Sequence, residues 1–234
     1  MAIELSLSRR LSTAGRWPMG MGLTAWRYMW RITPMRRVEM EDDGIQPMPP
    51  SIPPDFDREE IQGLDHGVGP LFHRRYRTTI VDGALTAEEL MTKIQQDPNL
   101  VAPTEFARFL RSSDQAGPMQ VEDEYLVRMP GPWDGPVRVV DVTSTSFRFV
   151  TLRGHLEAGQ IEFRAHEQAG LHFEIESWAR SGDRLSHLLY DQLHMAKEVQ
   201  LHMWTSVLEN VVRLTKGRRS GLISIETRMV PWNG

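Results

Sequence analysis

DRLSHLLYDQLHMAKEVQLHMWTSVLENVVRLT, residues 183–215, is the longest run in this 234-residue chain that keeps one helical period. At about 100° per residue, Leu185, Leu189, Leu193, Ala196, Gln200, Met203, Val207, Val211 and Leu214 fall within an arc of about 80°. Asp183 stands where an N-cap would accept free amides, and Gly217 where a helix would stop. A helix with one narrow oily stripe must lie on an apolar surface. Its opposite face carries His187, Asp191, His194, Glu198 and His202. The i, i+4 pairs there have a spacing that can share a metal, but a wetted polar face accounts for them, and no metal is assigned. Tyr190, Leu201, Leu208 and Val212, flanked by Trp204, make a weaker second ridge, wide enough to take an arm of the chain or a second copy in a homodimer.

The preceding hundred residues supply the surface. FHRRYRTTIV, residues 72–81, reads as a strand ended by Asp82-Gly83. Thr86 and Glu89 form a capping box, which starts a helix that stops before Pro98. A second short helix is expected over 104–112, with Thr104 as its cap. Strands follow at 118–129, 136–142, 146–153, 159–166 and 170–180, punctuated by Gly131-Pro132, Asp134-Gly135, Gly154 to Gly159 and Ala169-Gly170. In the last of these, His172, Glu174, Glu176, Trp178 and Arg180 alternate with an apolar set, the pattern of a cross-strand charge ladder. Residues 221–230 suit either a final strand or a trailing segment. Consecutive strands with hairpin-length turns give an antiparallel sheet. The order therefore predicts an α+β helix-grip fold: a curved antiparallel sheet around a long C-terminal helix, with two short helices after the first strand.

Upstream the composition changes. Residues 1–38 carry seven arginines and one acid, Glu4, for a charge of +6, against −10 for the rest. Ser8-Arg9-Arg10 has the look of a twin-arginine export signal, but Arg27 and Arg31 interrupt its apolar part and no small-residue cleavage site follows. Leu23, Trp26 and Trp30 share one helical face beside Arg27 and Arg31. Such a face suits docking on the acidic body, a partner protein or peripheral contact with a membrane surface. Residues 39–65 are acidic and then proline-rich, an extended linker. Residues 66–217 form the domain and 218–234 a tail or extra strand. The absence of cysteine excludes disulfides, thiolate zinc sites, iron–sulfur clusters and cysteine nucleophiles. It fits a reducing compartment, and the expected location is the cytoplasm. No nucleic-acid module surrounds the arm's arginines, so no nucleic acid is expected.

GPLFHRRY (69–76), VEDEYLV (121–127), GHLEAGQIEF (154–163), FEIESWARSGD (173–183) and Gln200-Leu-His-Met-Trp204, with the order of elements, resemble the START-like (SRPBCC) superfamily, which includes the birch-pollen allergen, polyketide cyclases and lipid-transfer domains. The resemblance covers residues 66–216 and is strongest to a bacterial branch whose motifs carry no assigned chemistry. It implies a cavity between sheet and helix that takes an apolar ligand in many members and does catalysis in a few. No cofactor is expected.

Strand 118–129 puts Asp123 on one face with Met119, Val121, Tyr125, Val127 and Met129. An inward carboxylate needs a partner or a raised pKa, and can serve as a general base. A kinked register or an arginine partner is the structural alternative. His155, in the Gly154–Gly159 turn, could pair with Glu157 as acid and base. Gln200, central in the helix stripe, must be hydrogen-bonded, to a ligand or to the protein. The expected ligand set is Asp123, Tyr125, Phe149, Phe163, Gln200 and Met203, with Asp123 and His155 as the catalytic candidates if the scaffold is an enzyme of the cyclase or hydrolase kind. The expected function is binding of a small apolar or amphipathic molecule between sheet and helix. An interior filled by Met119, Phe149, Phe163 and Met203 would count against it.

Overall fold

The computed structural model describes residues 35–40, 47–104, 107–113, 117–129, 134–182 and 195–232, with backbone alone at 39–40 and 195–200. The strands are β1 (Met35–Met40), β2 (Val68–Val81), β3 (Arg108–Arg111), β4 (Glu124–Arg128), β5 (Gly135–Val142), β6 (Ser146–Thr151), β7 (Glu157–Glu167), β8 (Leu171–Ser181) and β9 (Arg218–Val230). They form one sheet in the order β1-β9-β2-β8-β7-β6-β5-β4-β3. Every pairing is antiparallel except β1 with β9. Register shifts interrupt β2 against both neighbours and β5 against β6, and extra residues of this kind bend a strand and give a sheet its curve.

Helix α1 (Ala87–Gln96) begins at the expected box: Thr86 Oγ1 accepts from Glu89 N–H at 3.2 Å, and Glu89 accepts from Thr86 N–H at 2.9 Å. The second short helix is a 3-10 turn, Pro98–Leu100. It does not lie at 104–112, where the chain instead enters β3. The reason is Asn99, whose side-chain amide takes Phe109 N–H at 2.8 Å and gives to Phe109 C=O at 3.0 Å, while β3 pairs with β4.

Helix α2 (Met195–Leu214) lies across β2, β8 and β9. Its Met203, Val207 and Val211 are buried in one cluster with Tyr76, Ile80, Phe173, Ile175, Ile223 and Ile225, so this part of the oily stripe is covered by the concave face of the sheet. Each such side chain contributes roughly 1.5–3 kcal/mol when fully buried. Leu201 and Leu208, expected as a second ridge free for an arm or a second copy, are buried in the same core. Leu185, Leu189 and Leu193 lie outside the described residues, as do Trp26, Arg27, Trp30 and Arg31. The helix stops as Gly217 predicts: Lys216 turns left-handed at φ 56°, and a Cβ on Gly217 would stand 2.6 Å from Ile80.

The alternative left open at 221–230 resolves as a strand, since β9 runs between β1 and β2. The described part of the proline-rich stretch lies on the convex side. Phe56 and Ile61 are buried there against Val140, Val150 and Leu152, with Ile52 alongside. Arg138 and Arg148 reach the backbone oxygens of Asp57 and Ser51 from the sheet below. Arg180 and Trp178 also point to this side, where Arg180 donates to the carbonyls of Gly69 and Leu64.

Candidate functional site

Alternation along β2 sorts its side chains. Leu71, His73, Arg75 and Arg77 face outward, whereas Phe72, Arg74, Tyr76, Thr78 and Ile80 face α2. The register extends the concave set across the sheet. One row reads Arg37, Ile225, Tyr76, Ile175, Phe163, Phe147; the next reads Thr227, Arg74, Ser177, Ile161, Phe149. The concave face is therefore divided. Towards β5 and β6 it is a ring cluster, with Phe149 5.3 Å from Phe147, 5.7 Å from Tyr125 and 6.1 Å from Phe109. Towards β2 and β8 it becomes polar.

The polar part centres on Arg74, 5% exposed, and Tyr76, 2% exposed. Arg74 lies 3.9 Å from the Glu157 carboxylate and 4.7 Å from the centre of the Phe72 ring. Burial pushes the Tyr76 phenol up to about 12, with Arg74 opposing, so the hydroxyl stays protonated and can donate. Ser177 is buried next to Arg74 in the row, and the buried Thr78 hydroxyl has no hydrogen-bond partner among the described residues. Ile161 and Trp204, both partly buried, and Phe163 adjoin this polar end, with Trp204 and Phe163 rings 5.6 Å apart.

The sequence-derived residues distribute unevenly around it. Tyr125, Phe149, Phe163 and Met203 are all in the packed core, together with Met119. The interior is thus filled at this end by the residues whose packing weighs against a cavity there. Asp123 does not extend the expected alternation. The chain turns at Glu122, φ 73°, so β4 begins only at Glu124, and the Asp123 carboxylate accepts from Arg111 and from Gln120 N–H at 2.6 Å. Gln200 is described by its backbone only.

His155 is held in the turn between β6 and β7. Glu157 N–H donates to its Nδ1 at 2.9 Å, so the ring meets the backbone of Glu157 while the Glu157 carboxylate faces Arg74. Burial lowers the pKa of the ring, against the pull of the Glu157 charge, and favours neutral imidazole. Asp123 and His155 are not brought together. Asp123 bonds Val139 on β5, whereas the His155 ring rests on Gly135. Those two β5 positions are about 13 Å apart at ordinary strand rise.

The contact with Gly135 yields a prediction. A Cβ there would stand 2.2 Å from His155 Cδ2, so Gly135→Ala must displace the ring and its hydrogen bond. The expected loss of stability in urea unfolding is about 2 kcal/mol. In a His155→Ala background the same substitution should cost less than about 0.5 kcal/mol, because coupled neighbours are non-additive. Equal losses in both backgrounds would contradict the contact.

The convex face carries the predicted charge ladder. Glu176 accepts from His73 and Arg75 on one oxygen and from Arg164 on the other, each at 2.7 Å, and Arg164 also reaches Glu174 at 2.6 Å. His73 stacks on Trp178 with centroids 5.5 Å apart. A shallow cleft of about 170 Å³ opens beside it, lined by Pro47, His73, Arg75, Glu226 and Arg228. His73 and Arg75 are engaged by Glu176 and so serve the sheet. Among the described residues no helix is long and apolar enough to cross a membrane, and no group of side chains is set to hold a metal.

Sequence and structure comparisons bear on this geometry in a limited way. Residues 101–210, a little under half of the chain, match the family model described as a domain of unknown function (DUF1990). Among curated proteins, none matches the chain. Solved structures similar to it include the di-domain ARO/CYC StfQ from the steffimycin biosynthetic pathway, at 9% identity over 63% of this chain and 51% of that one, TM-score 0.47. Another is norcoclaurine synthase from Thalictrum flavum, at 7% identity over 64% and 97%, TM-score 0.45. A third is major latex-like protein 151 from Panax ginseng, at 16% identity over 63% and 99%, TM-score 0.37. The chain spans about half the length of StfQ. Identities this low say nothing of chemistry, and the fold rests on the strand order and helix described above.

Proposed function

We propose that the protein binds a small amphipathic molecule between the concave face of its sheet and α2. The apolar part lies against Ile161, Phe163 and Trp204, backed by Tyr125, Phe149 and Met203. The polar end meets Arg74, Tyr76 and Ser177. The observation that carries this reading is the burial of Arg74, Tyr76, Thr78 and Ser177 in a face that is otherwise aliphatic and aromatic. An interior selected for stability alone is better filled with apolar groups of the same size, because desolvating an ion pair offsets much of its attraction. The buried Thr78 hydroxyl, without a partner among the described residues, wants an acceptor, and a ligand's polar end supplies one.

The test uses the full chain and the neutral fluorescent probe N-phenyl-1-naphthylamine, together with native mass spectrometry of the freshly purified protein. The expected result is saturable probe binding in the micromolar range. Ile161→Trp, which fills the partly covered position beside Ser177, should weaken it at least tenfold while thermal unfolding stays cooperative. A folded protein that binds no probe, or one whose probe binding ignores Ile161→Trp, defeats the proposal.

A further inference from the structure

We infer that the end of the sheet where β1 meets β9 is a contact surface for an anionic membrane, centred on Leu222. This goes beyond the interior site and needs no ligand there. Among the described residues β1 covers β9 only from Ile223 to Arg228, so residues 218–222 form an open edge. On its other side β9 bulges against β2. Arg77 pairs with Ser224 and Thr79 with Ser220, so an advance of two residues on β2 takes four on β9. Gly221 permits this at φ 78°, and a Cβ there would meet nothing within 4 Å. Ile223 turns into the core, and Leu222 turns away from it, 54% exposed. A bulge and nearby charges are ordinary means of blunting an open edge, and an apolar side chain between them works against both.

One exposed leucine is commonplace. Its surroundings set this one apart. Residues 210–225 carry Arg213, Lys216, Arg218 and Arg219 and no acid. Arg36 is exposed on β1, opposite Ser224. The acids next to these cations are engaged, Asp82 by Arg218 and Glu226 by Arg77. The chain that enters β1 adds to the patch. Met35 pairs with Ile223, the neighbour of Leu222. Trp30 is five residues before Met35, within about 18 Å of it on any path the backbone can take. Trp26, Trp30, Arg27 and Arg31 are therefore tethered to this edge, in a segment with no acid after Glu4. Cations, indole rings and a leucine together match a lipid surface, where arginine meets phosphate, tryptophan sits at headgroup level and leucine enters the acyl boundary. A nucleic acid would use the cations and leave the leucine in water. The −10 charge of residues 39–234 fixes the orientation, since the rest of the body is repelled by the surface that attracts this end.

The experiment sediments the full chain with vesicles of phosphatidylcholine alone and of phosphatidylcholine with phosphatidylglycerol. Association is expected with the anionic vesicles, at least about tenfold above the neutral ones, and should be lost at about 0.5 M salt. Leu222→Ser should weaken it about fivefold with thermal unfolding unchanged, because the side chain is exposed. Lys216→Gln/Arg219→Gln should weaken it about tenfold or more. Val121→Ser, at an exposed apolar residue beside β5 and five strands from β9, should leave it unchanged. Absence of association with the anionic vesicles at low salt overturns the inference, as does association that Leu222→Ser leaves intact or that Val121→Ser weakens equally. A short unstructured RNA bound equally by the unsubstituted protein and Leu222→Ser, with no vesicle association, would assign the edge to nucleic acid instead. None of these outcomes alters probe binding in the interior, so the two readings fail separately.

Discussion

Glu176→Ala is expected to destabilise the protein by about 3–5 kcal/mol, the range for removing one partner of a buried charge network. The Glu176 side chain is 4% exposed and ties three strands: β2 through His73 and Arg75, its own β8, and β7 through Arg164. Without it, the three donors that converge on one carboxylate lose their shared acceptor, and Glu174 and Glu162 stay near the two arginines only. Glu176→Gln keeps the shape and part of the bonding, so its loss should be about half as large. The same network fixes a pH dependence. Burial raises the Glu176 pKa, but the hydrogen bonds from His73 and Arg75 outweigh it and hold the carboxyl at about 2, below its ordinary 4.5. A carboxyl depressed in the folded state stabilises fully above its unfolded pKa and loses that contribution as pH falls toward the folded one. Between pH 7 and pH 3 the expected loss from this group is about 2 kcal/mol. Urea midpoints of the unsubstituted protein and of Glu176→Gln at both pH values measure it. The acid-dependent decrement should shrink in the variant by that amount. A decrement of the same size in both proteins would show that other carboxylates govern the acid limb.

Much of this architecture is readable before any coordinates, and the reasons are local. The stripe of Met203, Val207 and Val211 keeps helical period because a narrow contact with a sheet demands it. Thr86 and Glu89 announce a helix start by spacing alone. Alternation in Glu174, Glu176 and Trp178 marks the convex ladder, since period two holds wherever a strand has one apolar face. What escaped was non-local or broke its own rhythm. The pairing of Arg37 with Ile225 joins segments far apart in the chain, and no pattern in either one names the other. Asp123 matched the alternation formally, but the left-handed turn at Glu122 holds back the start of β4 to Glu124, the residue after it. The stretch at 104–112 offered a cap and a short apolar run, while the Asn99 clamp on Phe109 that made it a strand depends on the fold. The polar end of the candidate site was within reach. Arg74 shares a strand face with Tyr76 and Ile80 in FHRRYRTTIV, and a buried arginine among apolar residues is a signal that simple alternation exposes. Three arginines in one strand hid it, because two of them face outward.

Phe149→Ala separates core from ligand wall. Phe149 is 2% exposed and touches four other rings, those of Phe109, Tyr125, Phe147 and Phe163. Truncation removes a ring from the centre of that cluster and leaves a cavity that its neighbours, each held by further rings, can close only in part. The expected loss is about 3–5 kcal/mol in urea or thermal unfolding. Ile161, its register partner on β7, is only partly buried, and Ile161→Ala should lose less than about 1.5 kcal/mol while weakening probe binding severalfold. The two neighbours then diverge: one substitution unfolds, the other empties a binding surface. This follows from the division of the concave face, in which the rings near β5 and β6 form the solid interior and the strip between Ile161 and Arg74 is the part left for a guest. A loss below about 1 kcal/mol for Phe149→Ala, coupled with a large fall in probe affinity, would move the guest into the ring cluster and take the polar end at Arg74 out of the site.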